Sequence, residues 1–178
     1  MNICVYGASS NDINNAYIKA GEQLGELIAQ RGHGLVFGGG ANGMMGAVAR
    51  GMHAFGGRII GVAPEFFNVD GELFENCSEM IGTATMRERK RIMEERADAF
   101  VVTPGGIGTF DEFFEILTLK NLGLHDKPVV LLNTLGYFNS MISMLENAVA
   151  EGFASNRIMS LFEVKNDPQA VLECLDNN

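Results

Sequence analysis

The chain has 178 residues, of which 47% are hydrophobic and 20% are charged, and its formal net charge is −9 at pH 7. This length suits one domain that buries a core without disulfides or structural metals. The acidic balance argues against a nucleic-acid partner or an anionic membrane surface, because phosphate backbones select basic faces.

The cysteines Cys4, Cys77 and Cys174 are three in number, widely spaced, and form no C-x-x-C pattern. An odd number without metal-ligand spacing indicates reduced thiols in a cytoplasmic protein. The first residues lead directly into an apolar strand, so we expect neither a signal peptide nor a transmembrane segment there.

The N-terminal half alternates short apolar runs with helical patterns. Apolar runs predict strands, and apolar spacing of three and four residues predicts helices. The predicted elements are a strand at 3–6, a helix at 17–30, a strand at 34–37, a helix at 44–55 and a strand at 58–62. Periodicity fades over 65–78, where Asn68 to Gly71 predict a turn.

The C-terminal half continues the alternation. We predict a short extended piece at 80–81, a charged helix from Thr85 to Arg96, a central strand at 98–103, a helix beginning near 110, a strand at 129–132, a helix at 137–150, a strand at 161–164 and a helix from 168 to about 175. Because the strands are continuous apolar runs, the sequence predicts an α/β fold. We expect residues 1–178 to form a single-domain, Rossmann-like, doubly wound parallel sheet with helices on both faces.

Glycine- or serine-rich loops follow three of the predicted strands, at 7–11, 38–43 and 104–109. The carboxyl ends of parallel strands share one rim, where ligands of such sheets bind. The third loop runs into a helix, so its backbone N–H groups and the helix dipole converge on one point suited to an anion. A Cβ there would block a phosphate, and Glu112 follows in the predicted first turn. This stretch predicts a phosphate cradle beside a carboxylate, which suggests chemistry on a phosphorylated sugar.

Plainer interpretations of these residues exist. Thr109-x-x-Glu112 is also the pattern of a capping box, and the glycines could serve only a tight turn. The basic cluster from Met86 to Arg91 could be a solvated helix face, stabilised by the i,i+4 pairs Lys90–Glu94 and Arg91–Glu95.

Other nucleotide and metal signatures are missing from the sequence. The match of Gly38–Gly43 to G-x-G-x-x-G is not on the first strand and lacks the later acidic residue of dinucleotide enzymes. There is no G-x-x-x-x-G-K-[ST] motif, and His33, His53 and His125 are isolated. We therefore predict no cofactor and no metal.

Two motifs together resemble those of the Lonely Guy (LOG) family of cytokinin-activating phosphoribohydrolases: Met86-x-x-Arg89-Lys90, then Pro104-Gly105-Gly106-x-Gly108-Thr109-x-x-Glu112. Matching pieces elsewhere are Val5 to Ser10, the Gly38 to Gly40 loop with Gly43-x-Met45-Gly46, Gly57-x-x-x-Gly61-Val62 and Leu122-Gly123-x-His125-x-Lys127-Pro128. The resemblance extends from residue 3 to about 155. One departure is Arg87, where the family commonly has His, and the Arg-Lys pair is intact beside it.

The resemblance implies hydrolysis of the N-glycosidic bond of a purine riboside 5′-monophosphate, giving free base and ribose 5-phosphate. It implies that Arg89 and Glu112 are catalytic. A carboxylate beside the ribose can stabilise an oxocarbenium-like transition state or activate water. The resemblance also implies that the substrate is bound by Ser9, Lys90, Gly105, Gly106, Gly108, Thr109 and Thr118. The group that protonates the leaving base is not identified, and Glu72 and Glu75 are the candidates.

Several alternatives stay open. The substrate could be plain adenosine monophosphate in nucleotide salvage, or the chain could bind a nucleotide without catalysis, as a sensor or carrier. Some relatives carry an older label of lysine decarboxylase, but no lysine stands in a context for pyridoxal phosphate. The family forms homodimers, and the Phe-rich helix starting at Phe110 agrees with a homodimer whose site lies near the subunit interface.

Overall fold

All strands of the computed structural model, which describes residues 1–67 and 72–177, form one parallel sheet. They are β1 (Asn2–Tyr6), β2 (Gly34–Phe37), β3 (Ile59–Pro64), β4 (Glu79–Thr83), β5 (Ala99–Val102), β6 (Val129–Leu132) and β7 (Glu163–Lys165). The turn predicted at 68–71 lies outside the described residues.

The helices connect these strands. They are α1 (Asn15–Gln30), α2 (Gly43–Ala54), α3 (Met86–Arg96), α4 (Ile107–Asn121), α5 (Asn139–Ala150) and α6 (Pro168–Asp176). Short 3₁₀ helices occur at Glu65–Phe67, Thr134–Gly136 and Asn156–Ser160. The predicted alternation of strands and helices is thereby confirmed, and the fold class with it.

The strand order is β4-β3-β2-β1-β5-β6-β7. The chain winds outward from β1 to β4, returns to the other side of β1 as β5, and continues to β7. The middle strand is therefore β1, and β5, predicted as the central strand, lies next to it. The switch point of the winding falls between β1 and β5, which is where such sheets bind ligands.

Both faces of the sheet are buried at its five inner strands, β3, β2, β1, β5 and β6, whereas the edge strands β4 and β7 are partly exposed. In β1, Cys4 and Tyr6 point to the core covered by α3, α4 and α5, whereas Ile3 and Val5 point to the core covered by α1, α2 and α6. Strand side chains alternate between faces, so a strand buried on both sides is apolar throughout. That is why continuous apolar runs predicted these strands.

Two predicted bounds near the C-terminus are wrong. The last strand was expected at 161–164 but begins at Glu163, because Leu161 and Phe162 turn into the core after a 3₁₀ helix. The preceding helix was expected from Tyr137 but begins at Asn139, because a turn at Thr134–Gly136 intervenes.

Glycines let α1 and α2 approach closely. A Cβ on Gly25 would overlap the Val48 carbonyl oxygen and lie 2.8 Å from the Met52 nitrogen. Both atoms belong to the backbone of α2, which cannot move aside as a flexible side chain can. Close contact of the two helices therefore requires glycine at position 25.

We expect Gly25→Ala to lower the free energy of unfolding by roughly 1–3 kcal/mol, because overpacking outweighs the helix propensity that alanine adds. Chemical denaturation measures this loss. The control is Gln23→Ala on the exposed side of the same turn, which should change stability by less than about 0.5 kcal/mol. Equal effects of the two substitutions would contradict the packing role of Gly25.

Candidate active site

A cavity of about 680 Å³ opens at the carboxyl ends of the strands. The loops after β1, β2 and β5 form its walls, together with the 3₁₀ helix after β3 and the first turns of α3 and α4. Its volume is in the range of small-molecule sites, about 300–1,000 Å³. The three predicted loops therefore meet at one rim, next to the switch point.

The loop after β5 ends at Gly106, the N-cap of α4, and no side chain of the described residues caps this helix. By contrast, Asn14, Thr85 and Asp167 each accept a backbone N–H at the start of their helices, at 2.9–3.1 Å. The first N–H groups of a helix lack intrahelical partners. Those of α4 are thus available to a ligand in the cavity.

The glycines of this loop serve different purposes. A Cβ on Gly105 would overlap the Thr109 hydroxyl and lie 2.9 Å from the Ala8 nitrogen, so the packing itself requires glycine there. At Gly106 and Gly108, by contrast, a Cβ would meet no atom of the described residues within 4 Å apart from the adjoining residues and, at Gly108, the backbone of its own helix. The space beside these two glycines faces the cavity and can admit a phosphate, which a Cβ would obstruct.

A buried ion pair lies beside this loop. Arg89 Nη1 donates to Glu112 Oε1 at 2.7 Å, and Arg89 Nε donates to the Val62 carbonyl at 3.2 Å. Arg89 is 6% exposed and Glu112 8%. Burial raises the pKa of the Glu112 carboxyl, while the Arg89 guanidinium acts in the opposite direction. A fixed carboxylate and a fixed cation thus face the same cavity.

The capping-box interpretation of Thr109 and Glu112 is wrong. Because α4 begins at Ile107, Thr109 is already inside the helix, and Glu112 lies in the second turn rather than the first. Within the described part of the chain, the carboxylate hydrogen-bonds to Arg89 and to no backbone donor. The same pattern at Thr85 does form a cap: Thr85 Oγ1 accepts from Glu88 N at 3.1 Å, and Glu88 accepts from Ala84 N at 2.8 Å.

Lys90 connects α3 to α4. Its Nζ lies 3.0 Å from Asp111 Oδ2 and also contacts Glu115. Burial by itself lowers the pKa of Lys90. Hydrogen bonds to Glu115 and Asp111 outweigh this effect and raise the pKa of Lys90 above its usual value. The predicted pairing of Lys90 with Glu94 is thus replaced by contacts across helices, whereas Arg91–Glu95 is confirmed at 2.7 Å.

Most of the residues predicted for the site surround the cavity. Its walls include Ser9, Arg89, Lys90, Gly106, Gly108, Thr109 and Glu112. Gly105 belongs to the same loop but is buried. Thr118 is exposed and lies on the wall of a second groove, between α4 and α5. It lies eleven residues beyond Ile107, which places it roughly 16 Å along the helix at about 1.5 Å per residue.

The cavity also contains residues that the sequence analysis missed. Phe66, Phe67, Met86 and Ile107 form an apolar part of the wall, and Asn42 and Asp111 add polar groups. Phe66 and Phe67 directly follow β3, so the rule that ligands bind at carboxyl ends of strands was a usable signal. Of the two acid candidates, Glu72 lines the cavity and Glu75 lies elsewhere.

Within 1–67 and 72–177, no group of three or more His, Cys, Asp or Glu side chains could hold a metal ion. In the same part of the chain, no helix has the length and apolar character needed to cross a membrane.

Comparison with known proteins gives one consistent family. A family model described as "Possible lysine decarboxylase" matches residues 45–175. Cytokinin riboside 5′-monophosphate phosphoribohydrolase LOG3 of Arabidopsis thaliana is 41% identical over 153 residues, which cover 86% of this chain and 71% of LOG3. LOG4 from the same plant is 42% identical over the same shares.

Solved structures share the fold. The protein TM1055 superposes with a TM-score of 0.78 at 22% identity, covering 99% of each chain. The Moco carrier protein of Chlamydomonas reinhardtii superposes with a TM-score of 0.74 at 25% identity, covering 99% of this chain and 98% of that one. These likenesses identify the architecture.

Glu94, on α3 behind Lys90, makes stability depend on pH. Burial raises the pKa of its carboxyl from 4.5 to about 7, the nearby Glu115 adds to the shift, and Lys90 and Lys127 oppose it. Between these pH values the folded chain holds more protons than the unfolded chain. Its stability therefore falls as the pH rises through this window.

We expect Glu94→Gln to raise the melting temperature at pH 8 by about 2–4 °C, equivalent to about 1 kcal/mol after allowance for the half-exposed position. At pH 5 most of this gain should disappear. Thermal unfolding at both pH values measures it, with the exposed neighbour variant Glu95→Gln as control. An equal gain at pH 5 and pH 8 would show that burial of the Glu94 charge is not the cause.

Proposed function

The chain belongs to the LOG family of phosphoribohydrolases, and from that membership we propose that it hydrolyses the N-glycosidic bond of a purine riboside 5′-monophosphate. The products are the free base and ribose 5-phosphate. One observation carries the proposal: the buried Arg89–Glu112 pair and the uncapped start of α4 face the same cavity.

The 5′-phosphate would bind at the start of α4. Gly106, Gly108 and Thr109 offer backbone N–H groups and the positive end of the helix dipole. Ser9, on the neighbouring loop, can add a hydroxyl donor. Lys90 is held by two carboxylates, so its role in the proposed site is to fix the wall beside the phosphate rather than to supply an unpaired charge.

The ribose would then lie against Glu112. Cleavage of the glycosidic bond passes through an oxocarbenium-like state, and a carboxylate beside C1′ stabilises that charge or activates the attacking water. Arg89 holds the Glu112 carboxylate in one orientation and favours its ionised form. Because its guanidinium also binds the Val62 carbonyl, a lysine could not reproduce both contacts.

The base would occupy the apolar part of the cavity. Phe66 and Phe67 are 60% and 45% exposed, and Met86 lies on the same wall. Such a surface suits a purine, and it also suits an apolar substituent on N6, as in a cytokinin riboside monophosphate. Glu72 is the acid candidate that reaches the cavity and could protonate the leaving base.

A nucleotide carrier without catalysis is the main alternative, and the fold is shared with a Moco carrier protein. Binding a phosphate requires the glycine loop but no carboxylate near the ribose. The cost of burying Glu112 and its cation favours a hydrolase over a carrier, since burial of an unused ion pair brings little stability.

We expect purified protein to release base from adenosine monophosphate, from isopentenyladenosine 5′-monophosphate, or from both. Glu112→Gln should lower kcat by about 10²–10⁴, because a neutral amide cannot stabilise the developing positive charge. Base release is measured by chromatography, with the parent nucleosides as substrates lacking phosphate. The ratio of the two nucleotide rates distinguishes cytokinin activation from action as an AMP nucleosidase in salvage.

The matched control for this substitution is Glu88→Gln. Glu88 occupies the same position in its T-x-x-E motif as Glu112 does, but its carboxylate caps α3. We expect the Glu88→Gln variant to release base at nearly the rate of wild-type protein. Equal activity of Glu112→Gln and wild type would refute the catalytic assignment, and binding without base release by wild type would favour the carrier.

We also propose a homodimer whose interface borders the site, and a cytoplasmic location in line with the cysteine content. The groove between α4 and α5 is largely apolar; its lining includes Ile107, Phe110, Phe114, Leu119, Met141 and Met144. Ile107 is 86% exposed and Met144 53%. Exposed apolar residues clustered in a groove are typical of an interaction site. Ile107 and Asp111 line both groove and cavity, so a second copy seated here would lie beside the substrate.

We expect Met144→Asp to convert the dimer into a monomer, because a charge would be buried against apolar residues. Light scattering after gel filtration measures the mass. The control is Phe153→Asp, which adds the same charge at an 88% exposed apolar residue outside the groove. A monomeric wild-type protein, or a dimer that survives Met144→Asp, would contradict this interface.

A further inference from the structure

Tyr137 contacts the loop that precedes α4. Its hydroxyl donates a hydrogen bond to the carbonyl oxygen of Gly105 at 2.5 Å. Tyr137 lies after β6, in the connection to α5, and so reaches the loop from the neighbouring strand. Its ring packs edge-on against Tyr17, with ring centroids 6.0 Å apart, and against Phe138 at 5.1 Å.

The Gly105 carbonyl and the Gly106 N–H belong to the same peptide group. In a planar trans peptide these two groups point in opposite directions. Fixing the Gly105 oxygen towards Tyr137 therefore fixes the Gly106 N–H on the opposite side. Gly105 is buried and Gly106 lines the cavity, so this orientation turns an amide donor towards the site.

A peptide between two glycines needs such a restraint. Neither residue has a Cβ, so both can adopt backbone conformations that other residues avoid, and the intervening peptide can rotate easily. The preceding peptide has its own restraint, because Ala8 N donates to the Pro104 carbonyl at 3.2 Å. The Tyr137 hydroxyl restrains the next peptide along the loop in the same way, through its hydrogen bond to the Gly105 carbonyl.

The turn that carries Tyr137 is itself tightly fixed. Asn133 is buried, its side-chain oxygen accepts from Phe138 N at 2.7 Å, and its amide donates to Asn139 at 2.9 Å. Leu135 is the one non-glycine with positive φ in the described part of the chain, at 55°. Its side chain is 67% exposed, so burial of that side chain does not account for the unusual backbone.

We propose that Tyr137 is a positioning residue for the phosphate-binding loop: it holds the Gly105–Gly106 peptide with the N–H turned towards the anion. The inference rests on the proposed function, because the proposed function assigns the 5′-phosphate to that loop. A residue of this kind acts on the affinity for the phosphate and leaves the bond-breaking step at Glu112 unchanged.

The test is Tyr137→Phe, which removes only the hydroxyl. We expect KM for the nucleotide and Ki for ribose 5-phosphate to rise by the same factor, roughly three- to tenfold, as expected for one lost neutral hydrogen bond. The value of kcat should stay within about twofold of wild type, and the melting temperature should stay close to it. The control Tyr17→Phe removes a hydroxyl from the ring packed against Tyr137 and should leave KM and Ki unchanged.

The outcomes separate this inference from the proposed function. An unchanged KM and Ki in Tyr137→Phe, a loss confined to kcat, or an equal loss in Tyr17→Phe would overturn the role of Tyr137. If wild-type protein releases no base, the proposed function fails. Calorimetry with inorganic phosphate then tests the role of Tyr137 by itself, because it measures phosphate affinity without catalysis. Weaker phosphate binding by Tyr137→Phe than by wild type supports the role, and equal or undetectable binding by both proteins overturns it.

Discussion

The hydrogen-bonded ion pair between Arg89 and Glu112 joins the parts of the molecule that form the cavity. The guanidinium comes from α3, binds the Val62 carbonyl in β3, and reaches Glu112 in α4. It also lies so close to Gly38 that a Cβ there would overlap it. Two buried charges are tolerated only when each is paired and hydrogen-bonded. The pair therefore requires α3, β3 and α4 to keep their relative positions. It also requires glycine at position 38, directly after β2.

The proposed phosphate site has to hold an anion in an acidic protein, and the charge distribution indicates which groups would do so. With a net charge of −9, the surface as a whole does not attract phosphate. The two cations nearest the cavity are already engaged, Arg89 with Glu112 and Lys90 with Asp111 and Glu115. The uncharged donors beside the cavity include the backbone N–H groups at the start of α4 and the Ser9 hydroxyl, which act at short range and do not depend on net charge. In the proposed site, phosphate affinity thus depends mainly on how these uncharged donors are oriented.

Much of the fold could be predicted because its inner strands are buried on both faces. β2 and β6 were predicted with their observed bounds, 34–37 and 129–132, since each is an apolar run with glycine or proline beside it. The edge strand β7 was not, because Leu161 and Phe162 are equally apolar but pack into the core from a turn. An apolar run shows that a segment is buried and leaves its backbone conformation open. Contacts of Lys90 with residues more than twenty positions away were likewise outside the reach of a local i,i+4 pattern.

The two T-x-x-E motifs show why the candidate site needed the structure. Both have the spacing of a capping box, and only the one at Thr85 is a cap, because there the threonine precedes the helix. After β5, the glycines place the N-cap at Gly106, three residues before Thr109, so the helix begins at Ile107. The pattern from Thr109 to Glu112 therefore lies inside the helix. The Glu112 carboxylate does not cap the helix and can pair with Arg89. A glycine at the N-cap has no side chain to occupy the first N–H groups, so the same helix start that leaves Glu112 free to pair with Arg89 also leaves these N–H groups uncapped. One local feature of the sequence, a glycine pair directly before the helix, accounts for both the position of the carboxylate and the uncapped helix start beside it.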